Sequence, residues 1–175
     1  MARRGALSAS IRVSKVVRGV KREVVVGVVN THLATWYDPT EEKWSKVREE
    51  QGEEVLEAVA RATTTADLVV VGGDLNSSPA SPTVEGLLGG GLIDTLADLK
   101  DEGKAEESMF HTWGNSANSW TAEEEGSRID YLLYRESGGR VAARTSMYRT
   151  LDASSQGTSI SDHMGVEANL RITFN

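Results

Sequence analysis

Three features of the 175-residue sequence predict one layered α/β domain over residues 1–175. A valine-rich run, a long amphipathic segment and a second apolar run follow one another between residues 23 and 72, the order of a strand–helix–strand crossover. Near the chain end, Val166, Ala168, Leu170 and Ile172 alternate with Glu167, Asn169 and Arg171, the period of a half-buried strand. Polar islands follow or interrupt the apolar runs, at Asn30-Thr31-His32, Gly73-Asp74-Leu75-Asn76 and Ser161-Asp162-His163. In layered α/β folds, strand ends and the loops after them are where ligands are met.

The elements follow in order. Residues 9–18 roughly alternate and read as an edge strand, with Gly19-Val20-Lys21-Arg22 as the hairpin turn. Residues 23–30 read as a central strand because their valines are nearly continuous. A loop over 31–39 ends at Asp38-Pro39, and Thr40 is placed to cap a helix over 41–65. On that helix Trp44, Val47, Gln51, Val55, Ala58, Val59 and Ala62 form one stripe, with Lys46, Glu49, Glu50, Glu53 and Glu57 opposite. Thr63, Thr64 and Thr65 weaken its end. A strand over 67–72 comes next. Ser81-Pro82 opens a short helix over 82–89, stopped by Gly89-Gly90-Gly91. Residues 92–99 are a short segment with Asp94 and Asp98 exposed, and 100–108 are an acidic loop. A polar loop runs from His111 to Trp120. Strands are expected over 127–134 and 140–148, then a loop over 149–160 and the last strand over 166–172.

Composition narrows the function classes. Charged residues are 26% and hydrophobic ones 39%, the balance of a globular chain. The cysteine count is 0, so disulfides and thiolate-bound metals are excluded. The net charge of -7 makes nucleic acid the less favoured partner and suits a carboxylate cluster that needs a cation. The basic stretch over 1–22 lacks the apolar core of a signal peptide, and no run is long enough to span a membrane. The expected location is cytoplasmic, or peripheral on an intracellular membrane. Walker, nucleophile-elbow and His-Glu-x-x-His spacings are all missing from the sequence.

The islands carry complementary chemistry. Asp74 and Asn76 are two apart, so in an extended segment they point the same way. Asp74 can orient water or approach a metal and Asn76 can donate to phosphate; equally, the pair can form an Asx turn. Asp162 and His163 are adjacent, so their side chains diverge, and the two form either a site or an ordinary loop dyad. His32 is a site histidine or a core-edge one. Asp130 lies between Ile129 and Tyr131, where a carboxylate needs a partner such as Arg128 or His32. Asn115, Asn118 and Trp120 are substrate contacts or turn residues. Trp36 and Tyr37 line the site or pack at its rim. Together the groups suit metal-assisted phosphoester hydrolysis, which needs an activated water, neutralised phosphoryl charge and proton donors.

Asn30-Thr31-His32-Leu33, Gly73-Asp74-Leu75-Asn76, Arg128-Ile129-Asp130-Tyr131 and Ser161-Asp162-His163 resemble, in that order, the later motifs of the endonuclease/exonuclease/phosphatase superfamily, the deoxyribonuclease I-like fold. The resemblance implies a four-layered α/β sandwich and hydrolysis with Mg2+, or with Mn2+ in its place. It implies His163 as general base, Asp162 as a metal-site residue that orients His32, and His32 as donor to the phosphate. It further implies Asp74 on the attacking water, Asn76 as a phosphate-binding group, and Asp130 as the carboxylate supporting the histidine and metal network. Within the superfamily the pattern is most similar to neutral sphingomyelinases, which implies a phospholipid or other phosphodiester substrate and contact with a membrane surface; nucleases and sugar-phosphate phosphatases of the same fold are the alternative. Superfamily members begin with a strand ending in Asn and then a Glu metal ligand. Nothing here matches either, and Glu23 is not that Glu. The resemblance therefore implies a domain lacking its N-terminal portion, a truncated product or remnant whose uncovered sheet would self-associate.

Overall fold

A computed structural model describes residues 5–17, 19–35, 42–100, 110–152, 154–155 and 157–175. The expected Thr40 cap, Trp36 and Tyr37, and most of the 100–108 loop lie outside the described residues. The strands are β1 (Leu7–Val17), β2 (Val20–His32), β3 (Leu68–Asp74), β4 (Ile93–Asp94), β5 (Asp130–Glu136), β6 (Val141–Leu151), β7 (Ser154–Ser155), β8 (Thr158–Ser159) and β9 (Gly165–Phe174). The helices are α1 (Glu42–Ala62), α2 (Pro82–Gly89) and α3 (Thr95–Lys100).

The main sheet has the order β1-β2-β3-β5-β4. β2 and β3 are parallel, joined across α1, and the other pairs are antiparallel. The continuous valines of β2 follow from its place between two strands, while β1 is the sheet edge and exposes Ile11 and Val13. On one face, Val55, Ala58 and Val59 of α1 and Val84 and Leu87 of α2 close over Val29, Val69, Val71 and Leu133. The antiparallel pair β6–β9 packs on the other face, where Ala143, Leu170 and Ile172 meet Leu68, Val70 and Tyr134. The described layers are those of the α/β sandwich expected from the sequence.

The boundaries differ in instructive ways. α1 ends at Ala62 rather than 65, because the Thr63 and Thr64 hydroxyls donate back to the Ala60 and Arg61 carbonyls, both at 2.7 Å. α2 begins as expected, with the Ser81 hydroxyl accepting from the Val84 N–H. The segment after it departs further: 92–99 forms β4 and α3, and Asp94 is buried, not exposed. Its carboxylate takes both arms of the Arg128 guanidinium, at 3.0 and 2.7 Å. Asp98 is likewise engaged, accepting from the Thr145 N–H at 2.6 Å and the Tyr134 hydroxyl at 2.9 Å. Both carboxylates were expected in water because local spacing carries no sign of partners more than 30 residues away. The 149–160 stretch holds the end of β6 and the short pair β7–β8.

Candidate functional site

The register of the main sheet brings three of the predicted side chains into one row. His32 closes β2 opposite Asp74, which closes β3, and Asp74 lies opposite Asp130, which opens β5. Directly opposed residues on neighbouring strands share a face. Gly73 makes this close end fit: its φ is 145°, and a Cβ there would run into the Thr31 carbonyl. From β2 the chain is held on toward α1, the Gln51 side chain accepting from the Ala34 N–H at 2.8 Å.

His163 completes the group from the far side. Its Nδ1 is 2.8 Å from the Asp130 carboxylate, and its ring meets Trp113 edge-on with centroids 5.1 Å apart. One ligand-capable atom from each of Asp74, Asp130 and His163 lies within 4.8 Å of the others. His32 Nε2 is 3.3 Å from the Asp74 carboxylate, on a side chain 58% exposed. The site thus runs from a half-buried carboxylate pair out to an imidazole in water.

The electrostatics follow from this packing. Burial first, and then the facing Asp130 carboxylate, push Asp74 above the usual carboxylate range, against the pull of the Asn76 N–H and the two histidines. The hydrogen bond to Asp130 raises His163, and burial opposes it. Two like charges held together in partial burial are what a hard divalent cation relieves. The oxygens of Asp74 and Asp130 suit Mg2+ or Mn2+. The donor set therefore fits the expected ion.

Several expected roles change. Asp162 lies outside the Asp74, Asp130 and His163 group and its side chain is exposed, so neither the metal role nor the orienting of His32 is what the structure shows. Asp74 holds His32 instead. Asp130 is partnered by His163, while the two partners expected for it are taken elsewhere, Arg128 by Asp94 and His32 by Asp74. Adjacent side chains diverge, and the loop turns His163, not Asp162, inward. Asn76 forms the Asx turn, its N–H reaching Asp74 Oδ1 at 2.7 Å, with φ at 47°. Its amide group donates to Asp74 Oδ2 and the Leu33 carbonyl, so it braces Asp74 rather than offering hydrogens to a phosphate. Asn118 is 1% exposed and its amide is engaged at both ends, with the Ser161 carbonyl and the Trp120 N–H, which removes it from substrate contact. Asn115 likewise closes a turn on Ala117.

Sequence reasoning missed Thr112. Its buried hydroxyl accepts from the Ile129 and Asp130 N–H groups at 3.0 and 3.1 Å, and its carbonyl accepts from the Met164 N–H at 2.8 Å. One residue thereby ties the start of β5 to the His163 loop. Trp113 beside it supports the His163 ring. A threonine in a polar loop has no periodicity that would mark it as buried.

The family model for the Endonuclease/Exonuclease/phosphatase family matches residues 9–163. The chain belongs to this family. No curated protein sequence matches the chain. Among solved structures, a D. rerio TDP2 complexed with single strand DNA product is similar at 21% identity and a TM-score of 0.66, over 97% of this chain and 69% of that one. A humanized D. rerio TDP2 gives 19% and 0.63, over 94% and 61%. The 3′ phosphatase NExo from Neisseria, bound to product DNA hairpin, gives 22% and 0.61, over 85% and 64%. The chain thus spans about 61–69% of these structures' length. At such identities the likeness speaks for the fold, which is the deoxyribonuclease I-like sandwich. Human Nocturnin and a Staphylococcus aureus beta toxin are similar too, so the family member's resemblance to neutral sphingomyelinases does not single out that subfamily.

One expectation is corrected outright. The acidic total made nucleic acid the less favoured partner, and phospholipid at a membrane surface the favoured one. Two of the similar structures hold DNA, which removes the ground for that ranking. A net charge is a sum over the surface, whereas a phosphate meets the local field, and a divalent cation between two carboxylates offsets their charge. Among the described residues no helix is long and apolar enough to cross a membrane.

Proposed function

We propose that the chain carries the site of a metal-dependent hydrolase of nucleic-acid phosphoesters. The observation that supports it is the convergence of Asp74, Asp130 and His163 at one sheet end, with His32 bound to Asp74. Family membership and the DNA held by similar folds favour a nucleic-acid phosphoester over a lipid one.

Asp74 and Asp130 would hold the cation, which when bound supplies charge neutralisation at the phosphoryl oxygens and a more acidic water. His163 gives its Nδ1 hydrogen to Asp130, which leaves Nε2 to take a proton from the attacking water. Its raised proton affinity serves that step. Asp74 orients the same water. His32, the most exposed member, donates to a phosphoryl or leaving-group oxygen. Asn76 and Thr112 keep Asp74 and Asp130 in place.

The test is release of nucleotides from a short DNA strand with and without Mg2+. We expect hydrolysis that EDTA stops and that His163→Ala lowers by about 10²–10⁴-fold. A folded protein that binds the metal yet releases nothing from DNA would refute the reading.

A further inference from the structure

Gln51 breaks the pattern of α1, standing between Val47 and Val55 on an otherwise apolar stripe. Its side-chain oxygen accepts from the Ala34 N–H at 2.8 Å, 17 residues back along the chain. Ala34 is two residues beyond His32. Between them, the Leu33 N–H donates to the Asp74 carbonyl at 2.9 Å, and the Leu33 carbonyl accepts from the Asn76 amide at 3.2 Å. The Ala34 carbonyl accepts from Arg48 at 3.5 Å. Leu33 and Ala34 are buried, all four of their main-chain polar groups are engaged, and Gln51 makes the shortest of these bonds. His32 itself is less firmly held. Pairing with β1 stops at Leu7 opposite Asn30, so among the described residues Thr31 and His32 have a strand neighbour only on the β3 side. The His32 ring is 58% exposed and its contact with Asp74 is 3.3 Å long. A single contact of that length directs an exposed ring weakly. Its aim therefore depends on the backbone, and the backbone is next fixed at Leu33 and Ala34.

We propose that Gln51 is a positioning residue for His32: through Ala34 it sets the direction in which the imidazole meets a phosphoryl or leaving-group oxygen. The inference rests on the proposed function, which gives His32 that contact. Pairing the buried Ala34 N–H is one consequence of the bond. The other is mechanical. α1 is packed on the sheet through Val55, Ala58 and Val59, so Gln51 ties the free side of the strand end to a rigid element. Asn76 ties the same two residues to the Asp74 turn. His32 and Asp74 are thus referred to one frame, although they lie on different strands. Such a frame matters because a misplacement of about 1 Å, even from a change far from the reacting atoms, costs on the order of 10²-fold in rate.

The experiment uses the whole chain, as wild type, Gln51→Met and Gln51→Glu, each also combined with His32→Ala. Met keeps the length of the side chain and removes the carboxamide acceptor, while Glu keeps an acceptor oxygen. In Mg2+-dependent release of nucleotides from a short DNA strand, Gln51→Met should lower kcat by roughly 10- to 100-fold with KM little changed. Gln51→Glu should restore most of the rate. In the His32→Ala background, Gln51→Met should cost no more than about 2-fold further, because the two changes act through one group. The second readout needs neither metal nor substrate. The chain has 3 histidines, so its imidazole C–H region in a 13C-edited NMR spectrum carries one signal from each. Gln51→Met should move or broaden the His32 signal and leave those of His111 and His163 in place. An unmoved His32 signal with an unchanged kcat would overturn the inference. So would an equal loss in both backgrounds, or movement of all the histidine signals, since either marks a merely structural role. No Mg2+-dependent hydrolysis by wild type would instead strike at the proposed function, and the NMR signals would still decide whether Gln51 fixes His32.

Discussion

Thr112→Val probes the join between β5 and the His163 loop. The two side chains have nearly the same shape, so the substitution removes one acceptor and leaves the volume in place. In the native protein that acceptor serves two N–H groups, of Ile129 and Asp130, at 3.0 and 3.1 Å, on a side chain with no exposure. A buried donor left unpaired costs about 1–3 kcal/mol. Two donors set a range of roughly 2–6 kcal/mol, and the shared, unstrained geometry places the expectation in its lower half, about 2–4 kcal/mol. That is a large share of a typical total of about 5–15 kcal/mol. Urea unfolding is the assay, with an expected midpoint drop of roughly 1–2 M. Thr112→Ser keeps the acceptor and loses one methyl, so it should lose only about 1 kcal/mol. The second readout is Mn2+ affinity by calorimetry, where Val should weaken binding more than Ser because Asp130 loses its anchored N–H. If Val and Ser unfold at the same urea concentration, Thr112 does not hold the start of β5 and the reasoning fails.

Other outcomes follow from the same geometry. Asp94→Asn leaves Arg128 as an unpaired buried charge and should cost about 3–5 kcal/mol in urea unfolding, whereas replacing both partners by apolar residues of similar volume should recover most of it; a single-variant loss below about 1 kcal/mol would contradict the pairing. Burial works against Asp98, yet the Thr145 N–H, the Tyr134 hydroxyl and Arg144 together bring it below its ordinary value of 3.8. Its folded value is the depressed one, so its stabilisation is present above the unfolded value and fades as pH falls through the folded value. Asp98→Asn should therefore flatten the acid limb of the stability profile, and superimposable limbs would count against it. Gly73→Ala should abolish or strongly reduce folding because of the Thr31 carbonyl, while Gly86→Ala, on an open face of α2, should stabilise by about 0.5–1 kcal/mol, both read by thermal melts. Equal melting of the two variants would show that Gly73 is not needed for the approach of β3 to β2.

Much of the architecture is legible along the chain because its causes are local. The valine run of β2, the stripe on α1, the Ser81-Pro82 start of α2 and the alternation in β9 each express a period or a cap that needs no distant partner. Their ends are less legible where side chains compete for backbone groups, as Thr63 and Thr64 do at the close of α1. For the site, His32, Asp74, Asp130 and His163 stand out because a polar group at the end of an apolar run is a local anomaly. Their roles do not stand out, because a role depends on who stands opposite.

The linear chain therefore names the reactive groups and the elements that carry them. Strand register then decides that Asp74 faces Asp130 and His32, residues 56 and 42 positions away along the chain. Loop packing decides that His163 turns in and Asp162 out, that Asn118 serves as a tie, and that Asp94 is buried against Arg128. Those choices depend on desolvation and on which donor lies within about 3 Å of which acceptor. Only the closed tertiary structure supplies both.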